Sequence, residues 1–130
     1  METEILVICD NAQNYQDKMV VVGPFNTIHA VSCPFTHPTF SLAVRLNYNS
    51  KDKHGKKDIK IEFIDEKGAV FIPQINSSAI IPENIDESHT ISIVVGLNNV
   101  KFDSFGKYTI KITIDDFYKE TYLYIKKRLP

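Results

Sequence analysis

The chain has no tryptophan, only two cysteines and only five glycines in 130 residues. Two thiols, Cys9 and Cys33, cannot build a disulfide framework, so a small secreted fold stapled by bridges is excluded. They read instead as ordinary thiols of a reducing compartment. With so little glycine there is no Gly-rich phosphate-binding loop. No apolar run approaches the ~20 residues of a membrane span. A signal peptide is not expected either, because Met1-Glu2-Thr3-Glu4 is acidic where a basic segment belongs and Ile5 to Cys9 is too short for its apolar core. Charge of one sign is missing too: 15 Lys and Arg against 16 Asp and Glu leave a net charge of −1. That balance gives no global pull toward nucleic acid or membrane. The expected location is the cytoplasm, and the richness in Ile, Lys and Asn matches low-GC bacterial proteins.

What is present is alternation. From Val100 to Ile125 the chain reads as a closing β-hairpin. Tyr108, Ile110, Ile112 and Ile114 fall on one face of a strand, and Lys107, Thr109, Lys111 and Thr113 on the other. After a turn at Asp115-Asp116-Phe117, Thr121, Leu123 and Ile125 point inward while Glu120, Tyr122, Tyr124 and Lys126 point away. The preceding Asp103-Ser104-Phe105-Gly106-Lys107-Tyr108 resembles the D-x-x-G-x-Y start of a late strand in immunoglobulin-like sandwiches, where the tyrosine hydroxyl ties the strand to a neighbouring loop.

Earlier segments repeat the pattern. Ile5 to Cys9 reads as a buried strand, Asp10 to Asn14 as a polar turn, and Lys18 to Val22 as the returning strand, stopped by Gly23-Pro24. A short strand, Thr27 to Val31, leads into Ser32 to Pro38, where prolines 34 and 38 forbid a central strand. Phe40, Leu42, Val44, Leu46 and Tyr48 alternate with Ser41, Ala43, Arg45 and Asn47. Asn49 to Lys57 is a lysine-rich loop. Ile59, Ile61 and Phe63 open a strand that turns at Asp65 to Gly68 and returns as Ala69 to Ile72. Pro73 to Ser88 reads as a long surface crossover pinned by Ile75, Ile80, Ile81 and Ile85. Ile91, Ile93, Val95 and Leu97 form a strand ended by Asn98-Asn99. No segment carries helical apolar spacing. Together these predict one all-β domain over residues 1–130, an immunoglobulin-like antiparallel β-sandwich of about eight or nine strands.

The run Leu6-Val7-Ile8-Cys9-Asp10-Asn11-Ala12-Gln13, then Lys18 to Gly23, resembles the start of an uncharacterised bacterial all-β family (DUF6941). Its pattern is an apolar strand, Asp-x-Ala-Gln, a short gap, then Lys, an apolar strand and Gly. The stretch Phe40 to Asn47, the turn Asp65 to Gly68 and Gly106-x-Tyr108 fit its later elements. The resemblance implies a β fold and supplies no mechanism or site residues.

Candidate chemistry is sparse. Cys33-x-x-x-His37, with Cys9 and His29 in reserve, is the one metal-like grouping, but zinc wants four ligands in tight pairs. The same Cys33 and His37 could be imagined as nucleophile and base of a small hydrolytic enzyme. Nothing in their spacing supplies an orienting group or an oxyanion site. Asp10 with Asp17, and Asp115 with Asp116, read more simply as turn formers than as acid–base pairs. Lys51 to Lys57 is a basic loop without interleaved aromatics, balanced by acidic Glu83 to Glu87, which disfavours nucleic acid.

Protein recognition is better supported. Tyr122 and Tyr124 lie outward on the last strand, where rigid rings add interface area at low entropy cost; packing over the Lys107 and Lys111 stems is the plainer alternative. Met19 to Val22 is apolar on both faces although near a sheet edge, which needs a cover. The sequence therefore points to a non-catalytic module that binds a protein partner or itself as a dimer. Tyr122 and Tyr124 lead the site, with Phe25, Phe35 and Lys53 as lesser candidates. No cofactor, small molecule or membrane is expected. The rivals are a metal or hydrolytic protein built on Cys33 and His37, and an adaptor or sensor in a bacterial phage-defence-like system.

Overall fold

The structure, a computed structural model, describes residues 1–49, 51–83 and 89–129. Among these residues every regular element is a strand: β1 (Glu2–Tyr15), β2 (Lys18–Phe25), β3 (Thr27–Ala30), β4 (Phe35–Tyr48), β5 (Gly55–Ile64), β6 (Val70–Ile81), β7 (His89–Phe102), β8 (Gly106–Ile114) and β9 (Phe117–Lys127). They form two sheets, ordered β2-β1-β4-β7 and β3-β9-β8-β5-β6. All pairings are antiparallel except β3 with β9, which run parallel. Tyr124 N–H donates to the Asn26 carbonyl and Arg128 N–H to that of Ala30, which ties the short β3 onto the last strand.

The sheets face each other across one apolar cluster drawn from both, with Ile8, Phe40, Leu42 and Phe102 on one side and Ile59, Ile61, Tyr108, Ile112 and Leu123 on the other. The period-2 alternation puts these residues there, and each fully buried side chain contributes about 1.5–3 kcal/mol of burial. Phe102 is the aromatic hub. Phe35 stacks on it at 5.3 Å, Tyr108 meets it edge-on at 5.2 Å and Phe71 lies at 5.7 Å. Phe102→Ala would empty that hub at a cost of about 3–5 kcal/mol.

Several strands run further than the sequence pattern suggests. Asp10 to Asn14 is not a turn. It continues β1, paired with Met19 to Val22, and the chain reverses at Gln16-Asp17, where Gln16 takes a φ of 55°. The polar residues mislead because Asn11 and Gln13 face solvent while Ala12 packs inward. Beyond Cys9, β1 leaves β4, and the β1–β2 arm lies across the outer face of the four-stranded sheet. There Ala12, Met19 and Val21 cover Cys9, Ala43 and Val94. Asn14 Nδ2 donates to the Ser92 carbonyl and Arg45 Nη1 to the Asp17 carbonyl, which holds the tip down. Nor do Gly23-Pro24 stop β2, because Pro24 sits on an edge strand that loses no ladder bond to a further neighbour.

The same logic admits Pro38 into β4. The pairing of β4 with β1 ends at Cys9–Ser41, so Phe35 to Thr39 bonds only to β7. Opposite Pro38, Asn99 adopts a φ of 51°. Both strands change phase at this row: Phe40 and Leu97 point inward on one side of it, His37 and Val100 on the other. Asn98-Asn99 is therefore a kink within β7 and not its end. Pro73 to Ile81 likewise belongs to β6, with Pro73 and Gln74 at a register shift on an edge strand, where a missing N–H costs little. Ile81 is buried and Ile75 packs on the core, but Ile80 is 73% exposed and pins nothing. Ile85 lies outside the described residues.

Candidate binding face

The outer face of the five-stranded sheet carries the tyrosines. Tyr118, Glu120, Tyr122, Tyr124 and Lys126 alternate outward along β9, opposite Lys107, Thr109, Lys111 and Thr113 of β8. Three rings each carry an ammonium: Lys107 Nζ lies 4.0 Å from the Tyr122 ring, Lys111 4.5 Å from Tyr118 and Lys126 5.8 Å from Tyr124. Such contacts contribute about 0.5–1 kcal/mol at exposed sites, enough to bias the rings toward one orientation. Tyr122 Oη donates to Glu120 Oε2 at 3.0 Å, and that bond and the carboxylate charge push its phenol above the usual range. Tyr122 and Tyr124 are half-buried by these stems, so the lysine cover weighed against an interface is present in the structure. Tyr118 is 57% exposed. Sequence reasoning missed it by placing Phe117 in the turn. Phe117 begins β9, and the parity of Tyr118 with Tyr122 and Tyr124 was the available signal.

The lesser candidates lie apart from this face. Phe25 and Phe35 both pack on the core, Phe25 tilted against His37 and Phe40 at 6.1 and 6.3 Å and Phe35 stacked on Phe102. Lys53 is exposed and lines a cleft of about 280 Å³ with Met1, Asp52 and Lys57. Lys57 is not part of a solvated loop. It is buried in β5, with Nζ 2.8 Å from Asp115. Burial pulls the Asp52 carboxyl up, but the Asn49 backbone, the terminal ammonium and Lys57 outweigh it and hold the group below the usual range. Of the acidic stretch, only Glu83 is described, 3.2 Å from His54.

Cys33 and His37 are not joined by a hydrogen bond among the described residues. Desolvation, then the charges of Glu66 and Asp103, push the Cys33 thiol up. Desolvation pushes His37 down, with Asp10 opposing it. Cys9 sits under the β1–β2 arm, its thiol raised by burial and 3.7 Å from the Ser41 carbonyl. No group of three His, Cys, Asp or Glu among the described residues is placed to hold a metal ion. Among the described residues no helix is long and apolar enough to cross a membrane.

The fold and this surface define a class: an all-β protein of two facing sheets with a tyrosine–lysine sheet face. The sequence model of a family of unknown function (DUF6941) matches residues 4–126, and the chain belongs to that family. Comparison with curated proteins finds no match.

Proposed function

We propose that the protein is a non-catalytic interaction module of a bacterial cytoplasm, with an immunoglobulin-like sandwich as its scaffold. The strand order supports the scaffold: β1-β4-β7 facing β6-β5-β8-β9 follows the A-B-E against C-F-G succession, and Tyr108 occupies the tyrosine-corner position. One observation carries the binding reading. Tyr118, Tyr122 and Tyr124 stand in a single outward row with lysines set over their rings. Rigid amphipathic rings bordered by adaptable polar groups make contact area at low entropic cost. The raised thiol and lowered imidazole are the wrong way round for an activated Cys33–His37 pair, which favours binding over hydrolysis.

The test is quantitative capture of partners by the intact chain, compared with Tyr122→Ser/Tyr124→Ser. The expected result is at least a roughly tenfold loss of bound protein with the melting temperature little changed. Unchanged capture with a steep fall in melting temperature would show that the rings serve the fold.

A further inference from the structure

A sheet edge offers unpaired backbone groups, and natural proteins guard edges with brevity, charge, proline, bulges or a covering segment. Of the four edges here, three are guarded. β3 has four residues. β2 opens on Lys18 and is interrupted by Gly23, at a φ of 64°, and Pro24. β7 carries Lys101 and is kinked at Asn99, at a φ of 51°. The fourth edge is different. β6 has no charged residue in its twelve, and its bulge and proline lie at one end. That leaves Ile75 to Ile81 in unbroken register with Gly55 to Ile61, paired on one side only among the described residues.

We propose that this edge pairs with itself: a second copy of the chain adds its β6 antiparallel about a two-fold axis at Ser77, joining two five-stranded sheets into one. This rests on the interaction-module reading above and moves the self-binding expected from the sequence to a surface the tyrosines do not occupy. Such an axis sets Asn76 beside Ser78 of the copy, Ile75 beside Ala79 and Gln74 beside Ile80, so no charge meets a like charge across the seam.

The charges one strand behind are complementary to those of a second copy in one register. Along the outer face of β5, Lys56, Asp58, Lys60 and Glu62 alternate in sign. Lys56 flanks Ile80, Asp58 flanks Ser78 and Lys60 flanks Asn76. A two-fold at Ser77, which opposes Ile59, brings the Asp58 row of one copy into line with the Lys60 row of the other. The Lys56 row likewise meets the Glu62 row. Moving the axis to Ser78 would align Asp58 with Asp58 and Lys56 with Lys60. The aligned charges lie about 14 Å apart, three strand spacings and beyond a Debye length at physiological salt, so they bias the register weakly and add little affinity. A seam of this length buries less than the roughly 800 Å² per partner of a standard interface, and the dimer is expected to be weak and reversible.

Sedimentation equilibrium on the full chain, between about 1 and 300 µM, tests this. The wild type should dimerise. Ser77→Lys, at an exposed position, sets two ammoniums against each other at the axis and should weaken association at least roughly tenfold. Tyr122→Ser/Tyr124→Ser should dimerise like the wild type. A wild type monomeric throughout, or a dimer indifferent to Ser77→Lys, overturns the proposal. A dimer lost in the tyrosine variant and kept in Ser77→Lys overturns it too, while leaving the tyrosine face standing. In a Cys33→Ser background, Ser77→Cys should oxidise to a covalent dimer faster than Ser78→Cys. The reverse order rules out the axis.

Discussion

Tyr108 Oη donates to the carbonyl oxygen of Ser104, four residues upstream, at 2.6 Å, and accepts from the Ser104 N–H at 3.4 Å. The ring is buried between Phe71 and Phe102, so this one residue fixes the β7–β8 connection to the core. Ser104 Oγ also bonds Glu66 of the β5–β6 turn, which joins two loops at one end of the sandwich.

Tyr108→Phe keeps the ring and removes the hydroxyl, leaving the Ser104 carbonyl without its partner. The expected cost is about 1–2 kcal/mol, read as a lower urea midpoint with an unchanged slope. Tyr108→Ala, which also empties the ring site, should cost about 3–5 kcal/mol. Equal stability of wild type and Tyr108→Phe would mean the corner contributes nothing.

This corner was legible in the sequence, because Gly106 and Tyr108 at fixed spacing before an alternating strand have one common structural meaning. So were the inward rows of β5, β8, β9 and of β4 from Phe40 onward, where alternation is unbroken. The arm was not legible. Asp10 to Asn14 has turn composition, and only contact with the cluster of Ala43 on β4 and Val94 on β7 buries Ala12. The prolines misled for a related reason: whether Pro38 or Pro73 breaks a strand depends on whether a neighbour lies on its N–H side, which topology decides. At the candidate face, parity placed Tyr122 and Tyr124 outward. The lysines over them follow from cross-strand register, which becomes visible once β8 and β9 are paired.

His37 makes the stability pH-dependent. Burial against Phe25 and Phe40 holds its folded pKa below the unfolded value, so the unfolded chain binds the proton more readily. Its contribution is therefore full above about pH 6.5 and is lost as pH falls through the folded pKa. Asp52, also depressed, loses its contribution at lower pH, below about 3.8. The urea midpoint should fall between pH 7.5 and 5 in the wild type and fall less in His37→Phe. A parallel decline in both proteins would assign the effect elsewhere.

Lys57 and Asp115 are an unequal pair. The lysine side chain is 11% exposed and the carboxylate 53%. Removing the carboxylate strands a buried ammonium, whereas removing the ammonium frees a carboxylate that water already reaches. Asp115→Asn, which tolerates the φ of 50° at this turn, is expected to cost about 1–2 kcal/mol after allowing for solvent screening. Lys57→Met is expected to be near neutral. A larger loss for Lys57→Met would reverse this assignment of which partner depends on the other.

Cys33 decides between a binding module and a thiol enzyme. Its surroundings raise the thiol, through desolvation first and then Glu66 and Asp103, and the thiolate is the form that attacks. Alkylation of Cys33 by iodoacetamide at pH 7.5 should therefore run slower than that of free cysteine, the two rates converging as pH rises. Cys9, buried under the arm, should react only on unfolding. Cys33→Ser should leave partner capture intact, since Cys33 is no part of the tyrosine face. Rapid alkylation near neutral pH would instead require a cation or donor stabilising the thiolate, and the loop from Cys33 to His37 would then replace Tyr118, Tyr122 and Tyr124 as the centre of function.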